Sequence, residues 1–316
     1  MKKFLLIGAT ALMVSNSTFA GGILTNTNQN ATFLRNPARN AAIAIDGVYS
    51  NPAGIAFLPQ GFHLSVSWQA AWQKRLMDVN NQLFGMNADG KGASREFVGE
   101  TNAPVIPSVQ AAYVINDKWS VSAQFAVGGG GGKCEFAEGL PMFEELIGGI
   151  VAKNKGTSYA LNQNLTGEQY FYAFQLGATY KLTDNFSVFG GARGVLANCN
   201  YTGAIANIKA NGMNAAEYAT LSAGAKAEAE KYAAQAAAAQ AAGNMAAAAQ
   251  LAGAAEQYAA AAVQAGTVAA MIGDYKLDCA QSGFGITPII GVDWNLGKLN
   301  LAAKYEFRTK IELENE

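Results

Sequence analysis

Outside its first twenty residues the sequence lacks long apolar runs, and the whole chain is poor in charge. Only 14% of the 316 residues are charged although half are hydrophobic, whereas typical soluble domains carry about 25% charged residues. A transmembrane helix needs about 20 consecutive apolar residues, and no later segment supplies them. A chain that is apolar overall but has no such helix is typical of a membrane β-barrel, because barrel strands alternate apolar and polar residues. The formal net charge of −1 gives no reason to expect a nucleic acid partner.

The sequence is also poor in residues that carry chemistry, since it has one histidine, His63, and no G-x-S-x-G motif. A lipase would need a nucleophile and a base, and His63 is more simply a polar residue facing a lumen. The glycine run before Lys133 does not match the phosphate-loop pattern G-x-x-x-x-G-K-[ST]. That pattern requires a glycine where this sequence has Val127 and a serine or threonine where it has Cys134. No cysteine and histidine set has zinc spacing. We therefore predict no enzyme, no metal and no cofactor.

Residues 1–20 have the three zones of a secretory signal peptide. Lys2 and Lys3 form the charged zone, residues 4–14 the apolar zone, and a small-x-small cleavage site ends at Ala20. The apolar zone is too short to span a bilayer comfortably, so an uncleaved anchor is the less favoured alternative. The chain is therefore expected to be exported.

Apolar and polar residues alternate in seven segments, as they do in strands with one apolar face and one polar face. The segments are residues 61–72, 109–115, 119–127, 170–180, 186–196, 284–294 and 299–313. Connections of about three residues alternate with connections of tens of residues, and aromatic residues fall near the ends of strands. Both features are typical of outer-membrane barrels. A secreted β-sandwich shows the same alternation and is the alternative.

The odd number of strands is a problem for a barrel. An unpaired edge in lipid leaves backbone groups without partners, and bacterial single-chain barrels have even numbers of strands. We therefore expect either an eighth strand within residues 76–100 or a sequence that is part of a larger barrel.

An insert, residues 203–273, separates the fifth and sixth predicted strands. Half of residues 215–272 are alanine, which has the highest helix propensity, and Gly243-Asn244 interrupts the run near its middle. The composition predicts an antiparallel helical hairpin outside the membrane, with a flexible spacer as the alternative.

The three cysteines suit an oxidising compartment. Cys199 and Cys279 flank the insert and share the same parity, so both are expected on one face of neighbouring strands. A disulfide between them would close the insert and leave Cys134 free. The alternative is that Cys199 and Cys279 are free as well.

Residues 42–61, AIAIDGVYSNPAGIAFLPQG, resemble the N-terminal plug signature of the FadL family of outer-membrane transporters for long-chain fatty acids. The core of this motif consists of Asn51, Pro52, Ala53 and Gly54. The segments PSVQAAYVINDKWSVSAQFAVGGGGGKCEF and GFGITPIIGVDWNLGKLNLAAKYEFRTKIELE are similar to the second and third and to the sixth and seventh strands of the family. The resemblance covers most of the chain except the alanine-rich part and residues 74–105.

The resemblance implies an all-β fold: a transmembrane antiparallel β-barrel of fourteen strands, half of it present in residues 61–316, with a hatch formed by residues 21–60. Because the sequence stops where the seventh strand of the family finishes, we expect the full gene to encode about seven more strands. Family members bind fatty acids or aromatic hydrocarbons inside the barrel and release them sideways into the membrane through a gap at a kink in the third strand. The implied partners are a hydrophobic small molecule and outer-membrane lipid, and we expect a monomer.

Five consecutive glycines stand where that kink would lie: Gly128, Gly129, Gly130, Gly131 and Gly132. Glycine is tolerated where a strand leaves its neighbour unpaired, so this run is the predicted lateral gate. The alternative is a flexible start to an extracellular loop.

A ligand carboxylate in a lumen would need a cation, and Arg193, Lys304 and Arg308 have the inward parity. Arg193 is the preferred candidate because its own strand offers it no acidic neighbour. The alternative is that these cations pair with Glu306 and Glu312 on the same face.

The favoured function is passive uptake of a hydrophobic small molecule through the outer membrane. The alternative is an adhesin or structural surface protein that presents the alanine-rich hairpin.

Overall fold

The computed structural model describes residues 25–315, and its main body is one antiparallel sheet in which each long strand pairs with the next. The long strands are β1 (Gly61–Asn80), β2 (Ser94–Val114), β3 (Trp119–Phe136), β4 (Tyr159–Lys181), β5 (Phe186–Ala210), β6 (Tyr275–Asn295) and β7 (Asn300–Glu306). The two-residue strand β8 (Glu314–Asn315) pairs with β6 beyond the end of β7. The predicted signal peptide lies outside the described residues.

The sheet has apolar side chains on its outward face and polar side chains on its inward face. On β1, the outward residues Phe62, Val66 and Trp68 are 65–71% exposed. The inward residues Gln110 on β2 and Gln175 on β4 are each 1% exposed. This confirms the alternation predicted from the sequence, and it inverts the arrangement of a soluble protein, in which a large apolar surface is buried.

The residues before β1 fill the inward side of the sheet. They contain α1 (Thr32–Arg35), α2 (Gly47–Ser50) and a 3-10 helix (Pro52–Phe57). The 3-10 helix contacts each of the strands from β2 to β6, which requires the sheet to curve around it. The fold is therefore a partial antiparallel barrel with an N-terminal plug, as predicted.

Short and long connections alternate, so all short ones lie at one end of the sheet. The turns after β2, β4 and β6 are short. The long connections follow β1, β3 and β5, and the second of them contains α3 (Pro141–Lys153). This end is called the outer end below.

Residues 76–100 do not form an eighth long strand, so the first of the two alternatives is wrong. They extend β1 and β2 at the outer end, where Leu76 pairs with Val98 and Asn80 with Ser94, around a short 3-10 helix (Gln82–Met86). The extension carries charged residues such as Asp78 and Glu96 and lacks the alternation of the apolar part, so the sequence pattern did not reveal it.

The last predicted strand, 299–313, is regular only up to Glu306. Phe307 still donates its backbone N–H to the carbonyl of Pro288 on β6 at 3.0 Å. Proline has no N–H to return the bond, so the ladder stops at this position.

The alanine-rich insert is a pair of helices, α4 (Ala215–Ala241) and α5 (Met245–Met271), that turn at Gly243-Asn244 as predicted. Asn214 and Glu217 form a reciprocal capping box at the start of α4, and the Asn244 side chain caps α5. The hairpin is shorter than the predicted insert because β5 continues to Ala210 and β6 starts at Tyr275. Among the described helices, none has the length and apolarity to cross a membrane.

The base of the hairpin is anchored in a hydrophobic core at the outer end. Tyr218 on α4 and Val268 on α5 pack with Ile147 on α3 and with Tyr159 and Ile208 on the strands, all of them buried. The rest of the hairpin extends away from this core, and Val263 on α5 is 71% exposed.

Cys199 and Cys279 face the same side of neighbouring strands, as expected, but the predicted disulfide is not formed and Cys134 is free as well. Cys199 is opposite Gln281, whereas Cys279 is opposite Tyr201, so the two cysteines are diagonal neighbours. Diagonal positions lie about 7–8 Å apart, beyond the usual Cα separation of a disulfide.

The core at the base of the hairpin generates a prediction. Val268→Asp should lower the free energy of unfolding of the outer end by about 3 kcal/mol, because it buries a charge without a partner. Val263→Asp, on the exposed side of the same helix, should change it by less than about 0.5 kcal/mol. Tryptic cleavage at Lys226 and Lys231 as a function of urea concentration measures both. Equal sensitivity of the two variants would contradict this packing.

Candidate functional site: the plug and a window in the wall

The motif Asn51-Pro52-Ala53-Gly54 forms the buried tip of the plug. The Asn51 side-chain oxygen accepts a hydrogen bond from the Ala53 N–H at 3.3 Å, and its Nδ2 donates to the Val292 carbonyl on β6 at 3.0 Å. Pro52 occupies the first turn of the 3-10 helix, where its missing N–H costs nothing. Asn51 therefore holds the local turn, as predicted, and also ties the plug to the wall.

Polar residues of the wall hold the plug by its backbone carbonyls. Gln175 donates to Val48 at 2.7 Å, Thr179 to Pro52 at 2.8 Å, and Ser187 to Ala53 at 2.7 Å. The three donors belong to β4 and β5 and are at most 1% exposed. Three buried side chains of the inward face thus satisfy three backbone carbonyls of the plug.

Tyr49 of the plug lies beside two cations of the wall. The Arg193 guanidinium and the Lys304 ammonium lie 5.3 Å and 5.0 Å from the centre of its ring, and Lys304 also donates to the Tyr49 carbonyl at 2.7 Å. Within the plug, Arg39 forms two hydrogen bonds to the buried Asp46, at 2.6 Å and 2.8 Å. The buried Asp46 carboxylate is thus compensated by a cation within the plug.

The proposed role of Arg193 as a free cation for a ligand carboxylate is not supported by its contacts. Arg193 donates to both carboxylate oxygens of Glu306, each at 2.9 Å, and also to Gln175. Lys304 contacts the same carboxylate at 2.7 Å. Strand β5 itself has no acidic residue near Arg193, as predicted. The acidic partner is Glu306 on β7, which Arg193 reaches across the inward face of β6.

The third cation named from the sequence, Arg308, follows the end of β7 and is exposed. The nearby Lys310 pairs with Glu312 at 2.5 Å in an exposed ion pair. The expected pairing of the inward cations with acidic residues of the same face is therefore what the structure shows for Arg193 and Lys304, which both contact Glu306.

The pairing between β2 and β3 is interrupted. The ladder joins Thr101 to Cys134 and resumes at Ser108 with Ala126, so residues 102–107 and 127–133 face each other without register pairs. Pro104 and Pro107 lack the N–H groups that a ladder needs. This interruption is called the window below.

The five glycines form the β3 side of the window. Pairing of β3 with β4 shifts register between Val127 and Gly129 and again between Gly129 and Gly132. Gly130 has φ +97°, and a Cβ there would lie 2.3 Å from the Gln169 carbonyl oxygen. Only glycine fits this position. The run therefore lies inside β3 as a kinked part of the strand and not at the start of a loop.

The first described residues cover the window from inside. Thr25 forms a bridge with Gly129, and the Asn26 N–H donates to the Gly128 carbonyl at 2.9 Å. The Asn26 and Gln29 side chains both donate to the Val127 carbonyl at 3.1 Å. The Val127 and Gly128 carbonyls of β3 thus accept hydrogen bonds from the plug, a contact that no sequence motif indicated.

His63 lies on the inward face of β1, where its Nε2 is 2.8 Å from the Pro59 carbonyl oxygen. Across residues 25–315 no group of three or more histidine, cysteine or acidic side chains is placed to hold a metal ion.

Comparison with known proteins finds similarity to solved structures. No family model matches the chain, and no curated protein matches it. The chain is similar to the crystal structure of the toluene transporter TodX of P. putida, with a TM-score of 0.44 and 13% sequence identity. The match covers 85% of this chain and 52% of that one, so the chain spans about half the length of that structure.

The contacts of Asn51 generate a second prediction. Asn51→Ala removes its bonds to Ala53 and Val292 and should weaken docking of the plug by about 1–3 kcal/mol, because buried partners are left unsatisfied. Hydrogen exchange should accelerate in residues 47–57 and stay unchanged in β4. Asn36→Ala, which removes an exposed cap on the Ala38 N–H, is the control. Unaltered protection of residues 47–57 would contradict this assignment.

The environment of Tyr49 predicts a pH dependence. Burial raises the pKa of the Tyr49 hydroxyl above its usual value of about 10, while the nearby Arg193 partly opposes the shift. A raised pKa means that the docked plug favours the protonated tyrosine. Its contribution to docking is complete below about pH 10 and is lost as the pH rises through the raised pKa.

Fluorescence anisotropy of a probe at the exposed position 34 should therefore fall at alkaline pH as the plug loosens. Tyr49→Phe should remove this component and leave only the titration of other groups. An identical alkaline transition in the two proteins would show that Tyr49 does not report on docking.

Proposed function

We propose that this chain mediates passive passage of hydrophobic small molecules, such as long-chain fatty acids or aromatic hydrocarbons, through the outer membrane. The observation that carries the proposal is the window, an interruption in a wall whose outward face is apolar. On this proposal the outward face contacts outer-membrane lipid and the protein acts as a monomer.

The outward face fits lipid along the whole sheet. Large apolar side chains are exposed on strands as far apart as Trp68 on β1, Leu176 on β4 and Tyr305 on β7. Tryptophans near the strand ends, Trp119 and Trp294, are about half exposed, which suits an interface between lipid and water.

The window offers an apolar ligand a sideways exit. Lipid cannot satisfy an exposed backbone group, so a gap in the ladder is stable only if something inside the wall supplies the missing partners. Residues 25–29 supply them here. When this segment moves inward, an apolar ligand gains free energy by leaving a polar lumen directly into the bilayer.

The cations of the lumen have a different role in this proposal. Arg193 and Lys304 hold Glu306 and the plug, so we assign them to plug docking and not to a ligand head group. The hatch motif and the five glycines keep their proposed roles as the seat of the plug and the lateral gate.

The proposal is tested by Gly130→Val in proteoliposomes loaded with an acyl-CoA synthetase, which traps any fluorescent fatty acid delivered to it. A Cβ at this position collides with the wall backbone, so β3 must shift toward regular pairing and narrow the window. Binding of the fatty acid should persist while delivery is lost. Gly224→Val, at an open position on α4, is the control. Normal delivery by correctly folded Gly130→Val protein would overturn the lateral route.

A further inference from the structure

On the side of the window nearer the outer end, only two register pairs join β2 to β3. They are Thr101 with Cys134 and Glu100 with Glu135. The second pair places two carboxylates opposite each other, which is unfavourable. Each carboxylate has its own exposed lysine partner, and exposed ion pairs contribute little. Another contact must therefore hold the two strands together here.

A buried ion pair connects β2 with the segment that leaves β3. Arg95 on β2 donates to Glu144 on α3 at 2.7 Å, and the two side chains are 5% and 4% exposed. Arg95 also donates to both carboxylate oxygens of Asp89, at 3.0 Å and 2.8 Å, and to the Phe84 carbonyl at 3.0 Å. The guanidinium thus joins β2, the connection after β1 and the helix after β3.

Glu144 is equally well satisfied. It accepts hydrogen bonds from Asn87 at 3.2 Å, from the Tyr159 hydroxyl at 2.9 Å and from Gln163 at 3.2 Å. Tyr159 and Gln163 belong to β4, so the network connects the outer ends of β2 and β4 with the helix that follows β3. Arg95 and Glu144 are the two buried charges at the centre of this network, and removal of one of them leaves the other unpaired in the interior.

An apolar contact lies between this network and the window. The Phe136 ring at the end of β3 packs on Gly99 of β2 so closely that a Cβ on Gly99 would lie 2.4 Å from it. The ring thus lies against β2 between the ion pair and the window.

We propose that the Arg95–Glu144 ion pair sets the width of the window, so that the outer connections control lateral release from a distance. The inference rests on the function proposed above. Arg95 lies six residues along β2 from Thr101, about 20 Å at the usual rise of a strand. It is therefore a positioning residue that acts through the stiffness of β2 and β3 and not through contact with a ligand.

The test measures the window directly in the full chain. Nitroxide labels replace Val105 on β2 and Lys133 on β3, which are exposed on either side of the window, after the three native cysteines are changed to serine. In Arg95→Met, the distance distribution between the labels should broaden and shift to longer distances. Release of a bound fluorescent fatty acid into lipid vesicles should become several-fold faster.

Two further variants keep the proposal falsifiable if Arg95→Met fails to fold. Glu144→Gln preserves volume while removing the charge, and it should widen the distribution in the same direction. Arg95→Lys retains a cation opposite Glu144 and should restore much of the original width, which a loss of packing alone would not do. Lys276→Met breaks the exposed pair with Asp278 on β6 and is the matched control.

The label distance tests the role of the ion pair, and the release of fatty acid tests the proposed transport. An unchanged distance distribution in folded Arg95→Met or Glu144→Gln protein overturns the role of the ion pair. A widened window without release in any variant, including the parent, supports the ion pair and counts against the proposed transport.

Discussion

The structure depends on one constraint: a sheet with an apolar outward face must satisfy its polar groups from inside. The wall does this with side chains such as Gln175, Thr179 and Ser187, which donate to carbonyls of the plug. The plug in turn contains short helices whose carbonyls are free to accept. Removing either component would leave buried polar groups unpaired, so the plug and the wall are stable only together.

The same constraint explains the construction of the window. An interrupted ladder exposes backbone groups, and the chain limits their number by placing Pro104 and Pro107, which lack N–H groups, on the β2 side. On the β3 side, residues 25–29 pair with the carbonyls that remain. Gly130 allows the strand to bend toward β4 where any other residue would collide with its backbone. The interruption thus combines prolines on the β2 side with hydrogen bonds from the plug to the Val127 and Gly128 carbonyls on the β3 side.

The strands and the helical hairpin follow from local sequence patterns and could be predicted. The contacts between side chains of different strands follow from the register of the strands and could not. Alternation with a period of two gave the strands and their faces, and the alanine content with its break gave the helical hairpin. The outer extension of β1 and β2 has no apolar alternation and was missed. Parity placed Cys199 and Cys279 on one face but could not show that they are diagonal, and it could not show that Glu306 on β7 reaches Arg193. Such pairings are set by how whole strands align.

The pairing of Arg193 also changes how ligand selection should be understood. Its guanidinium and the Lys304 ammonium are both bound to Glu306, and both flank Tyr49 of the plug. To bind a ligand carboxylate, either cation would have to give up an internal partner, and the gain would largely cancel the loss. On the proposed function, Arg193 and Lys304 therefore serve to seat the plug. On the proposed function, a ligand is then selected by its apolar surface more than by its head group, which favours a broad range of hydrophobic cargo over a single acid.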